Sequence, residues 1–268
     1  GPALAIAAIG SFFAGTVATF MIAAFAPPLA EVAFKFGPAE YFSLMVLGLI
    51  AAVVLAHGSI IKALAMVVLG LLLGMIGTDV NSGVARLSFD IPELSDGIEF
   101  VAVAMGMFGF AEIVGNLEAK EADRSGATIS EVKSLMPTAE DIKMSMGPII
   151  RGTAIGTIFG ILPGSHTVIA AFSSYTLEKK LAKDPSRFGK GAIEGVAGPE
   201  SANNAAAQSS FIPMLTLGIP CNAVMALMIG AMMIQGIAPG PQVMNERPQL
   251  FWGMIASMWV GNLMLVVL

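Results

Sequence analysis

The sequence predicts an all-α polytopic membrane protein, and three observations predict it. Hydrophobic residues fill 56% of its 268 positions and charged residues only 12%, about half the roughly 25% charge of a soluble domain. Several windows of about 20 residues carry no charge, the length a helix needs to cross ~30 Å of hydrocarbon. Pro- and Gly-rich clusters then interrupt apolar segments, which predicts re-entrant or broken helices beside the spanning ones. A formal net charge of −5 argues against a nucleic-acid partner. The single Cys221 excludes a disulfide framework, and two histidines, His57 and His166, give no basis for a multi-His metal site. No metal or organic cofactor is expected.

Taken in order, Ala3–Ala26 is an uncharged run of 24 residues that predicts a spanning helix ended by Pro27 and Pro28. The connector that follows carries Glu31, Lys35 and Glu40, a mix suited to a membrane interface. Tyr41–His57 and Ile60–Ile76 predict two helices in a tight hairpin, with Lys62 placed to snorkel. Gly77–Gly97 is rich in Asp, Ser, Gly and Pro and reads as an extramembrane connection. Ile98–Val114 is apolar again, with Glu99 and Glu112 near its ends. Residues 1–114 thus hold about four transmembrane helices with connectors.

Residues 115–151 are the most polar stretch and read as a cytoplasmic loop. Between Glu118 and Lys190 lie 10 of the 14 basic residues, which places this region inside. An apolar segment, Gly152–Thr176, sits within it, flanked by Arg151 and by the run EKKLAKDPSRFGK. Both of its ends are therefore expected on the cytoplasmic side, as a re-entrant hairpin requires. LPGSHT, Leu162–Thr167, supplies the tip and splits the segment into halves of about 10 residues, too short to span. Residues 152–190 are read as this hairpin with a basic amphipathic segment.

Residues 191–241 read as a broken-helix region, interrupted at GPESANN (Gly198–Asn204) and at LGIPCN (Leu217–Asn222). Ala223–Gln235 is a half-length helix stopped by APGPQ, and residues 242–268 begin a further transmembrane helix. The chain opens without Met and closes inside an apolar run, so it reads as a piece of a longer protein.

Unwound backbone at membrane depth persists only when packed in protein or lining a wet cavity. At such a break, helix N-terminal N–H groups hold anions and free carbonyls hold cations. Two breaks with small and polar residues therefore predict a substrate site. Its candidates are Pro163, Gly164, Ser165, His166 and Thr167 at one tip and Gly218, Pro220, Cys221 and Asn222 at the other. Asn203 and Asn204 lie near them as amides suited to carboxylates or cations. Glu200 is a candidate for ion coupling, whereas Asp79 reads as interfacial. Met225, Met228, Met232 and Met233 read as helix packing.

The stretch from Arg151 to Pro241 closely resembles the large membrane subunit of tripartite tricarboxylate transporters, the TctA family. The ordered series GILPG, SYTLEKK, FGKGAIEGVAGPE, NNAA, LTLGIP and GIAPGP carries the resemblance. Upstream, GPAEYF, GLIAAVVLA, IGTD and IPELSDGIEF extend it to nearly the whole chain. The resemblance implies a secondary transporter of the bacterial inner membrane that imports carboxylates on a sodium or proton gradient. Its implied partners are a small membrane subunit and a periplasmic solute-binding protein. It also implies a protein about twice this length, half of an inverted-repeat architecture with elevator-like alternating access. Two positions depart from the family pattern. His166 stands where a second Gly is expected in Pro-Gly-x-Gly, and Cys221 where GIPG ends in Gly. Both fall at tips, where substrate preference is set.

Two other function classes are weighed. An intramembrane enzyme needs a nucleophile with a base, a metal, or paired acids, and the chain contains neither H-E-x-x-H nor G-x-S-x-G. A non-transporting receptor or scaffold for a binding protein fits the composition, and ligand accumulation in vesicles separates it from transport.

Overall fold

The computed structural model describes residues 2–55, 59–79, 82–118, 136–162 and 167–267. Helix α1 is Pro2–Ala33, α2 Pro38–Leu55 and α3 Ile60–Met75. A pair of two-residue antiparallel strands, Gly77–Thr78 and Ala85–Arg86, and a 3-10 turn, Pro92–Leu94, lie between α3 and α4. Helix α4 (Phe100–Ala104) runs through a π-helical stretch, Met105–Phe110, into α5 (Ala111–Glu118). Helices α6 (Ala139–Ile161) and α7 (Thr167–Leu181) follow, then α8 (Glu194–Ser209) and α9 (Phe211–Leu217). The described chain ends with α10 (Ala223–Ile234), α11 (Gln242–Glu246) and α12 (Pro248–Val267). Helices α1 and α12 are each long and apolar enough to cross a bilayer.

Three sequence readings are corrected. Pro27 and Pro28 do not end the first helix, which continues to Ala33. Each proline frees one carbonyl a turn earlier but keeps a helical φ, and Ala26 and Ala30 on either side are buried against neighbours. Residues 139–151, read as part of a loop, form the first turns of α6. Thr138 starts them with a reciprocal capping box: its hydroxyl accepts from the Asp141 N–H at 3.1 Å, and the Asp141 carboxylate accepts from the Thr138 N–H at 2.9 Å. GPESANN is no break either, because α8 runs through Pro199 without interruption. Its small residues are contact surface: Gly198, Ser201, Ala202 and Ala205 are all buried.

Helix α8 is the centre of the fold, with α6, α1 and α7 packed on it and α12 packed on α1. Between helices in lipid no hydrophobic force operates, so close backbone approach by small residues supplies the attraction. Gly152, Gly156 and Gly160 recur every fourth position of α6 and face α8. A Cβ at each would collide with the carbonyl oxygens of Gly198, Ala202 and Ala206 respectively. A second, apolar cluster joins α1, α9, α10, α11 and α12 through Ile22, Leu215, Met225, Val243 and Phe251. Helices α2 and α3 pack on each other, as the hairpin reading requires, while α4 packs on α10.

Candidate functional site

The second interruption is built by local chemistry. Helix α9 ends at Gly218, whose left-handed conformation (φ 71°) lets its N–H reach back to the Met214 carbonyl at 3.1 Å. A side chain there would be strained and would also press on Pro239 O, 3.1 Å from an added Cβ. Ile219, Pro220 and Cys221 are non-helical. Asn222 then caps α10 from extended backbone, its Oδ1 accepting from the Met225 N–H at 2.9 Å. The first N–H groups of α10 have no partner within the helix, and they lie beside the Asn222 amide.

At the first interruption α6 ends at Ile161 and α7 begins at Thr167. Pro163, Gly164, Ser165 and His166 lie outside the described residues, as does His57. Helices α6 and α7 form a hairpin, and Arg151 and Glu178 tie it together across the two arms. The guanidinium donates from Nε at 2.8 Å and from Nη2 at 2.6 Å, a two-pronged pair. The Glu178 side chain is only 2% exposed and that of Arg151 41%.

The two interruptions adjoin. Cys221 is buried, and its thiol lies 3.6 Å from the carbonyl oxygen of Ile161, the last residue of α6. Helix α9 also packs on α6. Thus helix ends of both polarities, the C-terminus of α6 and the N-terminus of α10, flank one another.

The amides read as tip neighbours are placed differently. Asn203 and Asn204 sit in the middle of α8, about 4.5 and 3 Å along the helix before Ala206, which packs on Gly160. Asn203 is half-buried, and its side chain makes no hydrogen bond among the described residues. Asn204 belongs to a polar seam between α8 and α1. Its Nδ2 donates to Ser11 Oγ at 2.8 Å and to Glu200 Oε1 at 3.2 Å, and Ser11 Oγ itself lies 3.2 Å from Glu200 Oε1.

One helical turn farther the seam continues through residues that the sequence reading passed over. Gln208 Nε2 donates to Asn262 Oδ1 at 2.5 Å, Asn262 Nδ2 donates to Thr19 Oγ1 at 3.2 Å, and Thr19 Oγ1 lies 2.5 Å from Gln208 Oε1. Gly15 leaves room for the Asn262 side chain, which a Cβ would strike at 2.5 Å. A signal was present in the spacing: Ser11, Gly15 and Thr19 recur every four residues, as do Glu200, Asn204 and Gln208. Asp79 pairs with Arg86 at 3.0 Å beside the short two-stranded connection.

A cavity of about 640 Å³ opens beside the seam, lined by Gln208, Leu215, Met228, Met232, Met254 and Met258 among others. Its walls are mainly apolar and suit hydrocarbon better than a carboxylate. Among the described residues no three His, Cys, Asp or Glu side chains gather as a metal site would need.

An uncharacterized 52.8 kDa protein in the TAR-I ttuC′ 3′ region of Agrobacterium vitis is 59% identical over 268 residues, all of this chain and 53% of that protein. An uncharacterized protein in the TAR-II ttuC′ 3′ region of the same organism is 66% identical over 113 residues, 42% of this chain and 47% of that protein. The chain therefore spans about half the length of the first of these relatives. No solved structure matches it. Residues 1–268 match the family described as the tripartite tricarboxylate transporter TctA family. With that match over its whole length, the chain belongs to the TctA family of membrane transporters.

Proposed function

We propose that the full-length protein imports small carboxylates across the bacterial inner membrane by secondary active transport. It works as the large subunit of a tripartite system, with a small membrane subunit and a periplasmic solute-binding protein as partners. Family membership supports tricarboxylates as the substrate class. One observation carries the reading to residues: the second interruption rests on the end of α6, through Cys221 and Ile161. Free N–H groups at the start of α10, with the Asn222 amide, suit a substrate carboxylate. Thr167, Pro163, Gly164, Ser165 and His166 contribute to recognition of the same substrate, with Gly218 and Pro220 shaping the second interruption. Residues 152–190 act as a re-entrant hairpin and residues 191–241 as the substrate region, one half of an inverted repeat.

The test is uptake of radiolabelled citrate, succinate and malate by vesicles containing the full-length protein and its partners. Asn222→Ala should raise KM about tenfold, the equivalent of one charge-assisted hydrogen bond. Binding of a carboxylate without accumulation by the wild type would leave a receptor or scaffold in place of a transporter. An unchanged KM in Asn222→Ala would move the site away from the second interruption.

A further inference from the structure

The polar seam contains one ionisable group. Glu200 is partly buried within α8, and its contacts are neutral: the hydroxyl of Ser11 and the amide of Asn204. A carboxylate inside an apolar bundle is costly unless it has a partner or a use. The charged groups on the surrounding helices do not supply the partner. Helix α1 carries no charge before Glu31, about 30 Å along the helix from Ser11, and α12 carries none. On α6, Glu140, Asp141 and Lys143 lie in the first turns, and Arg151 is committed to Glu178 of α7. Lys179 and Lys180 end α7, and Glu194, at the start of α8, pairs with Arg187 at 3.4 Å. Among the described residues Glu200 has no ion pair.

The orientation of its neighbours discriminates between coupling ions. Asn204 Nδ2 stands within reach of three acceptors, Ser11 Oγ at 2.8 Å, Glu200 O at 3.1 Å and Glu200 Oε1 at 3.2 Å. Turning the amide over would set its oxygen against two other acceptors, so an N–H faces the carboxylate. A hard cation needs several oxygens turned inward, and here N–H and O–H donors converge instead. Such a shell of donors suits one added proton rather than a metal cation.

We propose that Glu200 is the proton-carrying group of this transporter. The step balances simply: a proton from one side adds to Glu200, the seam becomes neutral, and the proton leaves to the other side after α8 and the substrate bound at the second interruption have changed exposure. Ionised Glu200 resists passage through hydrocarbon, and the protonated form does not. This rests on the transport reading above.

The experiment uses the same vesicles, comparing accumulation driven by an imposed proton gradient with exchange of external for internal substrate. Glu200→Gln keeps both hydrogen bonds and mimics the protonated state. It should lose accumulation while exchange continues near the wild-type rate. Accumulation by Glu200→Gln equal to wild type overturns the proposal. So does a wild type driven by sodium and indifferent to the proton gradient. If Glu200→Gln shows neither activity, Ser11→Ala decides. Ser11→Ala removes one of the two side-chain donors to Glu200, so the response of uptake to the imposed proton gradient should change, and an unchanged response overturns the proposal. A wild type that accumulates none of the three carboxylates would instead refute the transport reading.

Discussion

Helices α3 and α8 have the same length, 16 residues, and opposite fates. The first, IIKALAMVVLGLLLGM, is apolar almost throughout and buries none of its residues. The second, EGVAGPESANNAAAQS, contains Glu, Asn, Gln and Ser and buries seven. In water the assignment would be reversed. In hydrocarbon a Leu gains little by leaving lipid for protein, whereas small residues gain backbone contact and polar ones gain hydrogen bonds. Between these two helices burial therefore follows side-chain size and polarity rather than hydrophobicity.

Two substitutions test that contrast. Gly156→Leu forces α6 away from the Ala202 carbonyl of α8 and should destabilise the protein by about 3 kcal/mol, read as a lowered Tm in detergent. Gly70→Leu on α3, where an added Cβ meets nothing within 4 Å, should leave Tm unchanged. Equal losses in the two would end the comparison.

The Arg151–Glu178 pair gives the next largest effect. Arg151→Met strands a carboxylate that is 2% exposed and should cost about 2 kcal/mol, with much of it recovered in the double variant Arg151→Met/Glu178→Leu. Lys62→Met on α3 should have no measurable cost, because that side chain has no ion pair among the described residues.

The smallest effect sharpens the boundary between helix and loop at Thr138. The Thr138 backbone N–H, and then its hydroxyl, holds the Asp141 carboxyl below its ordinary value of 3.8. A depressed folded-state value means that the cap stabilises above that pH and loses its contribution as pH falls through the lowered value. Protection from hydrogen exchange at the first turn of α6, taken relative to the intrinsic rate at each pH, should therefore fall in acid, and Asp141→Asn should remove most of this pH dependence.

Much of the fold was legible because its signals are local. The hairpin of α2 and α3, the stop after α10 and the break at Gly218–Asn222 follow from apolar length, proline, a left-handed glycine and an Asn cap, each acting within a few residues. GPESANN misled for a physical reason. Gly, Pro, Ser and Asn mark a loop in water, but inside a bilayer bundle the same residues let α8 approach α6 and α1. Pro27 and Pro28 misled similarly, since a helix held by neighbours on both sides tolerates two freed carbonyls.

The candidate site divides along the same line. The interruption containing Cys221 and Asn222 is written in adjacent residues and was readable. That it rests on Ile161 was not, because 60 positions separate Cys221 from its contact. The seam lies farther from inspection: Ser11 and Glu200 are 189 positions apart, and Thr19 and Asn262 243. Sequence by itself determined a helical membrane protein, its main helix stops and its family, since composition, backbone chemistry and ordered motifs are properties of the chain. Only the tertiary structure decided which polar residues share a partner, because in lipid that choice depends on which small residues let two distant helices touch.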